Sequence, residues 1–333
     1  MQSAGQGRRQ KYGRKRYDSS MDSLNRAYTR LDMRRRYESW FLRFGLADGR
    51  GASWIRYLLT NPGRNGCANI PGAAPAQVWA TWFPRDSGPE TYIQQFPVTA
   101  VKLTAPSEPF FLEIGPNRIG ADLYRGSIEA RGQRITWDLR CRSHFSVTLS
   151  HKGWIGFSRT PHSDGIFSGE IHCGARVFRG DPLGIGLQGH NCGFRHRNFW
   201  TWTHACFLQP DGSISTFEAL VYEMPLGLRF RKAILWHQGQ AHVFRKVLEP
   251  VRDRESLQWQ FQARSAEGLI EAEINGSRGP SYHRLPYAKT DCSGTFEVSN
   301  NSRARAQMRV QLKNCEGNFA ADDGAVLEMA GDY

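Results

Sequence analysis

The strongest constraint on the fold is an alternation of apolar and polar side chains that recurs along most of the chain. The segment RITWDLRCRS (134–143) places one apolar set on one face: Ile135, Trp137, Leu139 and Cys141. Segments such as VTAVKL, LIEAEI, GTFEVS and QMRVQL behave in the same way, and turn-forming Gly, Pro, Asn and Asp recur between them. Successive side chains of a β-strand point to opposite faces. Because no long helical period follows Tyr37, the pattern predicts an all-β protein, a sandwich or an up-and-down barrel.

Two hairpin patterns that lie 163 residues apart resemble each other. Residues 38–62 and 200–225 both run from an aromatic strand through an Asp-Gly turn to a second strand and a proline, with 14 residues from Asp to Pro. Asp-Gly between alternating runs is a strong hairpin signal. A chain of 333 residues also has room for two domains of about 150 residues each. We therefore predict two similar β domains, 37–180 and 181–333, divided in the loop RGDPLGIG.

The formal charge of +13 is concentrated at the start of the chain, where residues 1–36 hold eleven Lys/Arg and three Asp. The Gly- and Arg-rich tail should be disordered, and Ser20 could cap a short helix that carries Leu24, Tyr28 and Leu31 on one face. Basic residues 8–36 predict peripheral contact with an anionic membrane. The alternative is a solvated arm whose apolar stripe packs on the body. Nucleic-acid binding is a weaker third interpretation, because the body itself is nearly neutral.

Targeting and cysteine patterns suggest a cytoplasmic protein that could be peripheral to a membrane. No window approaches the roughly 18 uninterrupted apolar residues of a membrane helix, and the start of the chain lacks the apolar middle of a secretory signal. The seven cysteines are scattered and include no CxxC pair. They are therefore predicted to be reduced thiols, most of them small buried apolar residues. Nothing in the sequence indicates an oligomeric state.

Several blocks in the body resemble the AttH-like family. They are, in order, WIRYLLTNP, AQVWATWF, LEIGPNRI, ARGQRITWDL, SGEI, GHNCG with FWTW, and LPYAKTDCSGTFEVSNNS. The resemblance covers residues 37 to about 313 and extends to carotenoid 1,2-hydratases and, more distantly, tocopherol cyclases. It implies two tandem lipocalin-like antiparallel β-barrels and an isoprenoid or other lipophilic ligand held between or inside them. It also implies cofactor-free acid chemistry on carbon–carbon double bonds in the enzymatic branches, without metal or nucleotide.

The segment GHNCGFRHRNFWTW supplies the first candidate residues. Gly189 and Gly193 flank His190 and leave room for close approach of a ligand, so His190 is the leading acid/base or ligand-orienting group. The alternative is a histidine bonded to a turn carbonyl. Cys192 stands where the family commonly has tryptophan. The further ligand-binding candidates are Asn191, Cys192, Trp200, Trp202 and His204.

The strand STFEALVYE supplies the second group of candidates, Glu218, Tyr222 and Glu223, as the nearest substitutes for the Tyr-x-Asp of the hydratase branch. A carboxyl kept neutral by an apolar site could protonate an alkene, and the faces of Trp200 and Trp202 could stabilise the resulting cation. The structural alternatives are that the tryptophans fill the interior of a barrel and that Glu218 is a surface carboxylate.

Metal binding is a separate alternative, because His190 with Cys192 and His204 with Cys206 form two H-x-C pairs. Four such ligands could bind zinc, but the spacing lacks a zinc knuckle, and we predict no metal site. Weaker candidates elsewhere are Asp138, His144, His162 and Asp164.

The leading functional prediction is a two-barrel protein that binds an isoprenoid or similar lipophilic molecule and promotes its cofactor-free cyclisation or hydration. The alternative is a non-catalytic lipid carrier or sensor that uses the same cavity and docks to membranes through the basic arm. Whether the chain is an enzyme is left open between these two. Nucleotide and serine-hydrolase functions have no motif in the sequence.

Overall fold

The protein is all-β, as the alternation predicts. The structure is a computed structural model that describes residues 23–105, 108–151, 155–277 and 282–331. Its strands form two large antiparallel sheets, one from the first part of the chain and one from the second.

The first sheet contains twelve strands. They are β1 (Tyr37–Leu46), β2 (Gly51–Thr60), β3 (Ala76–Pro84), β4 (Glu90–Phe96), β5 (Val101–Leu103), β6 (Leu112–Ile114), β7 (Asn117–Ile119), β8 (Leu123–Ala130), β9 (Gln133–Arg142), β10 (Val147–His151), β11 (Gly156–Cys173) and β12 (Arg176–Gly193). Their order is β4-β3-β2-β1-β12-β11-β9-β8-β7-β6-β5, and β10 also pairs with β11. The sheet curls back on itself and brings β8 against β4. There the amide of Glu129 on β8 donates to the side chain of Gln94 on β4 at 2.9 Å.

The second sheet contains ten strands. They are β13 (Trp200–Leu208), β14 (Ile214–Glu223), β15 (Arg229–His237), β16 (Gln240–Phe244), β17 (Lys246–Asp253), β18 (Gln258–Ser265), β19 (Gly268–Asn275), β20 (His283–Ala288), β21 (Thr295–Leu312) and β22 (Cys315–Ala330). Their order is β16-β15-β14-β13-β22-β21-β19-β18-β17, and β20 also pairs with β21.

The two sheets follow the same pairing pattern. In each, the first strand lies between the second and the last, and a short strand pairs with the long penultimate strand. Both predicted Asp-Gly hairpins are present, as β1–β2 and β13–β14, and Gly49 and Gly212 adopt φ values of +70° and +81° in their turns. Only glycine takes such values at little cost. The predicted boundary near residue 180 lies inside β12, and the change of sheet falls at 194–199.

The central strands are buried on both faces. Every residue of β2 is buried, for example, although the strand has no helix covering it. One face contributes to the apolar core inside the first sheet, and the opposite face packs against the second sheet in a separate apolar cluster that includes Phe41, Trp54, Trp202 and Leu220. A strand buried on both faces carries apolar residues at the positions that would be polar in a half-exposed strand. This explains the nearly continuous apolar runs in the hairpin sequences.

Arg43 on β1 crosses between the sheets. Its buried guanidinium donates to the backbone carbonyls of Ser302, Gly324, Asp323 and Ala325 on β21 and β22. Burial lowers the pKa of Arg43 to about 10. Since a buried charge is tolerated only when its hydrogen bonds are made, this side chain fixes the position of one sheet on the other.

The start of the chain and two of the cysteines differ from the sequence-based expectations. Of the predicted N-terminal helix only Ser23–Asn25 is helical; Ser20 and the tail lie outside the described residues, and Leu31 packs on the first core. The prediction of reduced thiols is wrong for Cys67 and Cys292, which form a disulfide across a sequence separation of 225 residues. Within the described ranges, no helix is long and apolar enough to span a membrane.

Candidate active site

A cleft lies where the outer faces of the two sheets meet. Its walls come from β1, β2 and β10–β12 on one side and from β13, β14, β20 and β22 on the other. The cleft measures about 960 Å³, including its open mouth. Strand alternation positions its lining: Tyr37, Ser39 and Phe41 of β1 face the cleft, whereas the intervening Trp40 and Leu42 belong to the core of the first sheet.

Aromatic rings form much of the cleft wall. Trp202 from the second sheet meets Phe41 from the first edge to face, with ring centroids 5.7 Å apart, and Trp54 contacts Phe41 in the same way at 6.3 Å. Phe157 and Trp200 line the cleft as well. Such faces carry negative quadrupole charge, so they can pack against an apolar ligand and also stabilise a cation on it.

A carboxyl group and a guanidinium lie at the polar end of the cleft. Glu328 on β22 accepts a hydrogen bond from the indole N–H of Trp200 at 3.0 Å, and the nearby Tyr287 hydroxyl helps to lower its pKa. Arg56 lies over the ring of Tyr287, 4.5 Å from the centroid. Burial raises the pKa of Glu328 above its ordinary value, and the positive charge of Arg56 partly opposes that rise. The carboxyl is therefore more easily kept protonated than one in water.

His196 lies on the same side of the cleft. Its ring stacks on Tyr37 with centroids 3.7 Å apart and an interplanar angle of 13°. Burial, reinforced by the nearby positive charge of Arg56, lowers the pKa of His196 to about 3. The imidazole is therefore neutral at physiological pH and offers one donor and one acceptor.

Several buried polar atoms of residues that line this cleft make no hydrogen bond with the protein. They are Nε1 of Trp54, Nε and Nη1 of Arg56, and both ring nitrogens of His196. Buried polar groups in folded proteins are nearly always paired, so a cluster of unpaired ones requires an explanation. Because all three residues line one aromatic-walled cleft, they indicate a place where a polar group of a ligand, or water, completes the hydrogen bonding.

The structure places His190 outside this cleft lining, in a fully buried hydrogen-bonded pair with Glu38. Its Nε2 donates to Oε1 of Glu38 at 2.8 Å, and its Nδ1 contacts the carbonyl oxygen of Leu24 at 2.7 Å. Glu38 also accepts hydrogen bonds from the amides of Tyr28 and Thr29. The pair thus holds the N-terminal segment 23–36 against β1 and β12.

The glycines around His190 also have a structural explanation. A Cβ on Gly189 would lie 2.3 Å from Cζ of Phe41, and one on Gly193 would lie 2.8 Å from the Tyr37 ring. The space predicted to admit a ligand is therefore filled by two aromatic residues of the cleft wall. Glycine is needed here because these rings lie directly on the backbone.

Glu218 and His204 lie at the contact between the sheets, behind the cleft. Oε1 of Glu218 accepts from Nε1 of Trp202 at 2.9 Å and from the Thr160 hydroxyl at 2.8 Å, and burial raises the Glu218 pKa to about 7. Nε2 of His204 bonds the carbonyl of Ser163 at 2.8 Å, and burial lowers the His204 pKa to about 3. Glu218 is thus not a surface carboxylate; it positions one tryptophan of the wall.

The remaining candidates divide between the cleft and its surroundings. Asn191, Cys192, Trp200, Trp202 and Tyr222 line it. The Tyr222 hydroxyl pairs with that of Ser150 at 2.9 Å, and burial raises the pKa of the Cys192 thiol to about 12, so it stays protonated. Glu223 lies outside, in a smaller depression with Met224 and Leu226.

The two H-x-C pairs do not converge. Cys192 contacts Arg36, whereas Cys206 on β13 contacts the carbonyl of Gly186. In the part of the chain that the structure describes, no three His, Cys, Asp or Glu side chains are arranged as ligands of one metal ion.

The weaker candidates lie elsewhere in the first sheet. The Asp164 carboxylate accepts from the amides of His144 and Phe145, as a turn-stabilising aspartate does. His162 bonds Ser143 and the Ala121 carbonyl, and Asp138 forms an ion pair with Arg125.

Sequence reasoning missed Arg56, His196, Tyr287 and Glu328. A signal existed for two of them, since Arg56 in SWIRYLL and Glu328 in AVLEMA each interrupt an apolar strand with a charge. A charged residue in a strand buried on both faces needs a partner or a ligand. Recognising this required knowing that both faces are buried.

Comparison with known proteins shows the fold. No family model matches the chain, and no curated protein matches it in sequence. Among solved structures it is similar to CghA with Sch210972, with a TM-score of 0.60, 10% identity, and coverage of 89% of this chain and 88% of that chain. It is also similar to kievitone hydratase from Nectria haematococca, with a TM-score of 0.55, 9% identity, and coverage of 93% and 94%. A third is a protein of Nitrosomonas europaea provisionally named AttH, with a TM-score of 0.51, 12% identity, and coverage of 91% and 94%. The predicted resemblance to AttH-like proteins is thus confirmed at the level of the fold.

Proposed function

We propose that the cleft between the two sheets binds an isoprenoid or similar lipophilic molecule and catalyses its hydration or ring closure by acid–base chemistry. The observation that carries this proposal is the group of unpaired buried nitrogens on Trp54, Arg56 and His196, three residues that line an aromatic-walled cleft together with Glu328. The fold shared with kievitone hydratase and with CghA, whose structure contains Sch210972, supports it.

The ligand is expected to carry one oxygen acceptor on an otherwise apolar skeleton. Free N–H groups of Arg56 and Trp54 would bind that oxygen, and the rings of Phe41, Phe157 and Trp202 would cover the apolar part. Pairing a buried guanidinium with an oxygen acceptor is strongly favoured over leaving it unpaired. A hydrocarbon without an acceptor would leave these nitrogens unsatisfied and should bind more weakly.

Glu328 is the proposed acid. Its protonated carboxyl donates a proton to an alkene carbon, the alkene π pair forms the new C–H bond, and positive charge develops on the neighbouring carbon. The carboxylate left behind is stabilised by the Tyr287 hydroxyl, the Trp200 indole N–H and the charge of Arg56. The indole faces of Trp54 and Trp202 stabilise the cation.

His196 is the proposed base that completes the reaction. In hydration, water attacks the cation and passes a proton to the neutral imidazole. In ring closure, a second alkene attacks the cation, and the imidazole takes a proton from a carbon next to the new cationic centre while that C–H electron pair forms a double bond. Proton exchange with solvent then returns the imidazole to its neutral form and the Glu328 carboxylate to its acid form. The lowered pKa keeps His196 unprotonated above about pH 3. Because Glu328 acts in its protonated form, activity should fall as the pH rises through its raised pKa and that form is lost.

The test uses farnesol and geranylgeraniol as probes in D₂O, with products analysed by mass spectrometry. Hydration adds one water and places deuterium on carbon, whereas ring closure leaves the formula unchanged apart from deuterium. Glu328→Gln should abolish deuterium incorporation, and Glu297→Gln, an exposed carboxylate on β21, should leave it unchanged. Bound ligand without turnover in the wild type would favour the carrier alternative, and turnover at the wild-type rate in Glu328→Gln would exclude that residue as the acid.

A further inference from the structure

The loop between β14 and β15 exposes two leucines. The side chain of Leu226 is 96% exposed and that of Leu228 is 60% exposed. Leu226 also adopts φ +66°, and Gly227 follows with φ +70°. A residue with a Cβ is disfavoured in this left-handed region, so the chain holds a large apolar side chain in solvent on a strained turn. Such an arrangement is expected where the side chain is buried by something outside the chain.

This loop lies beside the cleft. Leu226 lines a shallow depression together with Arg195 and Arg197, and the same two arginines line the cleft itself. Ile155, which is 42% exposed, lines the cleft mouth too, and its carbonyl accepts from the amide of Phe194 at 3.0 Å. The exposed apolar side chains and the cleft opening are therefore parts of one continuous surface, which we call the rim.

Positive charge surrounds these apolar residues. Arg195 is exposed, Arg197 lies 5.1 Å from the Tyr222 ring centroid, and the exposed Arg35 lies 4.7 Å from the ring centroid of Phe194. Two carboxylates are nearby, Glu223 in the depression and Asp291 close enough to interact with Arg35. The named guanidinium groups outnumber them, so the rim carries net positive charge beside its leucines.

We propose that the rim docks on an anionic lipid bilayer and places the cleft mouth against the membrane surface. Protruding leucines with arginines around them match the acyl boundary and the headgroups of such a bilayer. An acidic protein would satisfy the charges, but two leucines at a loop tip present a small convex contact in place of a broad apolar face. The proposal rests on the proposed function, because docking is useful only if the cleft takes a lipophilic ligand. Such a ligand would then enter from the bilayer without crossing water.

The test is flotation of the full chain with vesicles of phosphatidylcholine, with and without phosphatidylserine. Leu226→Asp should weaken binding to the phosphatidylserine vesicles about tenfold, as expected for one leucine no longer buried in the acyl boundary. The matched control is Leu208→Asp, which changes a 69% exposed leucine at the far end of β13 and should bind as the wild type does. Circular dichroism establishes that each variant is folded.

A second arm separates the rim from the basic tail, residues 1–22, which lie outside the described residues. Replacing every Lys and Arg of that tail with Gln should leave residual binding to the phosphatidylserine vesicles. Adding Leu226→Asp to that variant should remove this residual binding. Equal binding by Leu226→Asp and wild type, equal weakening by Leu208→Asp, or binding that depends on the tail alone would each overturn the proposal. Binding of cis-parinaric acid by Leu226→Asp should match the wild type, so a failure of the cleft is detected independently.

Discussion

Replacing Glu218 with glutamine should remove a large part of the pH dependence of stability. The carboxyl is 2% exposed, and burial raises its pKa from 4.5 to about 7 in the folded protein. Between these values the folded state binds more protons than the unfolded state, so stability falls as the pH rises from about 4.5 to 7. At about 1.4 kcal/mol per pKa unit, the loss amounts to about 3 kcal/mol.

Glutamine suits this position because only one carboxyl oxygen is used. Oε1 accepts from Trp202 and Thr160, whereas Oε2 makes no hydrogen bond with the protein. An amide keeps the acceptor and cannot ionise, so Glu218→Gln should lose much less stability between pH 5 and pH 8 than the wild type. Above pH 7 the variant should be the more stable protein, provided that its new amide N–H₂ is accommodated where Oε2 was.

The assay is urea unfolding followed by tryptophan fluorescence at pH 5 and pH 8 for the wild type and Glu218→Gln, chosen to bracket the upper pKa. Other titrating groups contribute equally to both proteins and cancel in the comparison. If the free energy of unfolding changed equally between pH 5 and pH 8 in both proteins, the reasoning would be refuted. Such a result would mean that the raised pKa does not belong to Glu218.

Three further substitutions test the contacts that hold the structure together. His190→Ala should lower the free energy of unfolding by about 3–5 kcal/mol, because it leaves the buried Glu38 carboxyl without its imidazole partner, and limited proteolysis should then cut within 23–36. Cys67→Ser should lower it by about 2–4 kcal/mol, and a reducing agent should destabilise the wild type but not the variant. Arg43→Met should cost about 3 kcal/mol by leaving carbonyls of β21 and β22 without their donor, as measured by urea unfolding. Retention of wild-type stability in any of them would contradict the corresponding contact.

The fold could be predicted from the sequence because its signals are local. Alternation with a period of two identifies strands, and the Asp-Gly turns at Asp48 and Asp211 identify hairpins whose partners lie next to each other in the chain. The repeated hairpin also anticipated the matching pairing pattern of the two sheets. The strand register within each hairpin follows from the turn.

The candidate site could be predicted only in part, because it lies between surfaces that are distant in sequence. Trp200 and Trp202 were recognised as wall residues, but alternation cannot show which face of a doubly buried strand meets the second sheet. The same limit hid Arg56 and Glu328, and alternation could not show that His190 bonds Glu38 and lies outside the cleft lining.

The disulfide was inaccessible to sequence reasoning for a similar reason. Cys67 follows β2 and Cys292 follows β20, and nothing in the spacing of seven scattered cysteines indicates that these two loops meet. Loops are placed by the packing of the strands they connect, so their contacts emerge only with the tertiary structure.

The central claim is that the cleft between the sheets is a ligand site whose unpaired nitrogens bind the polar end of a lipophilic molecule. Its most direct test is the titration of wild type, Arg56→Ala and the exposed-arginine control Arg125→Ala with cis-parinaric acid, a fluorescent lipophilic carboxylate. Loss of a charge-assisted hydrogen bond in a buried site should raise Kd about tenfold or more for Arg56→Ala, with Arg125→Ala unchanged. Equal affinity in all three proteins, or no binding by the wild type, would contradict the account.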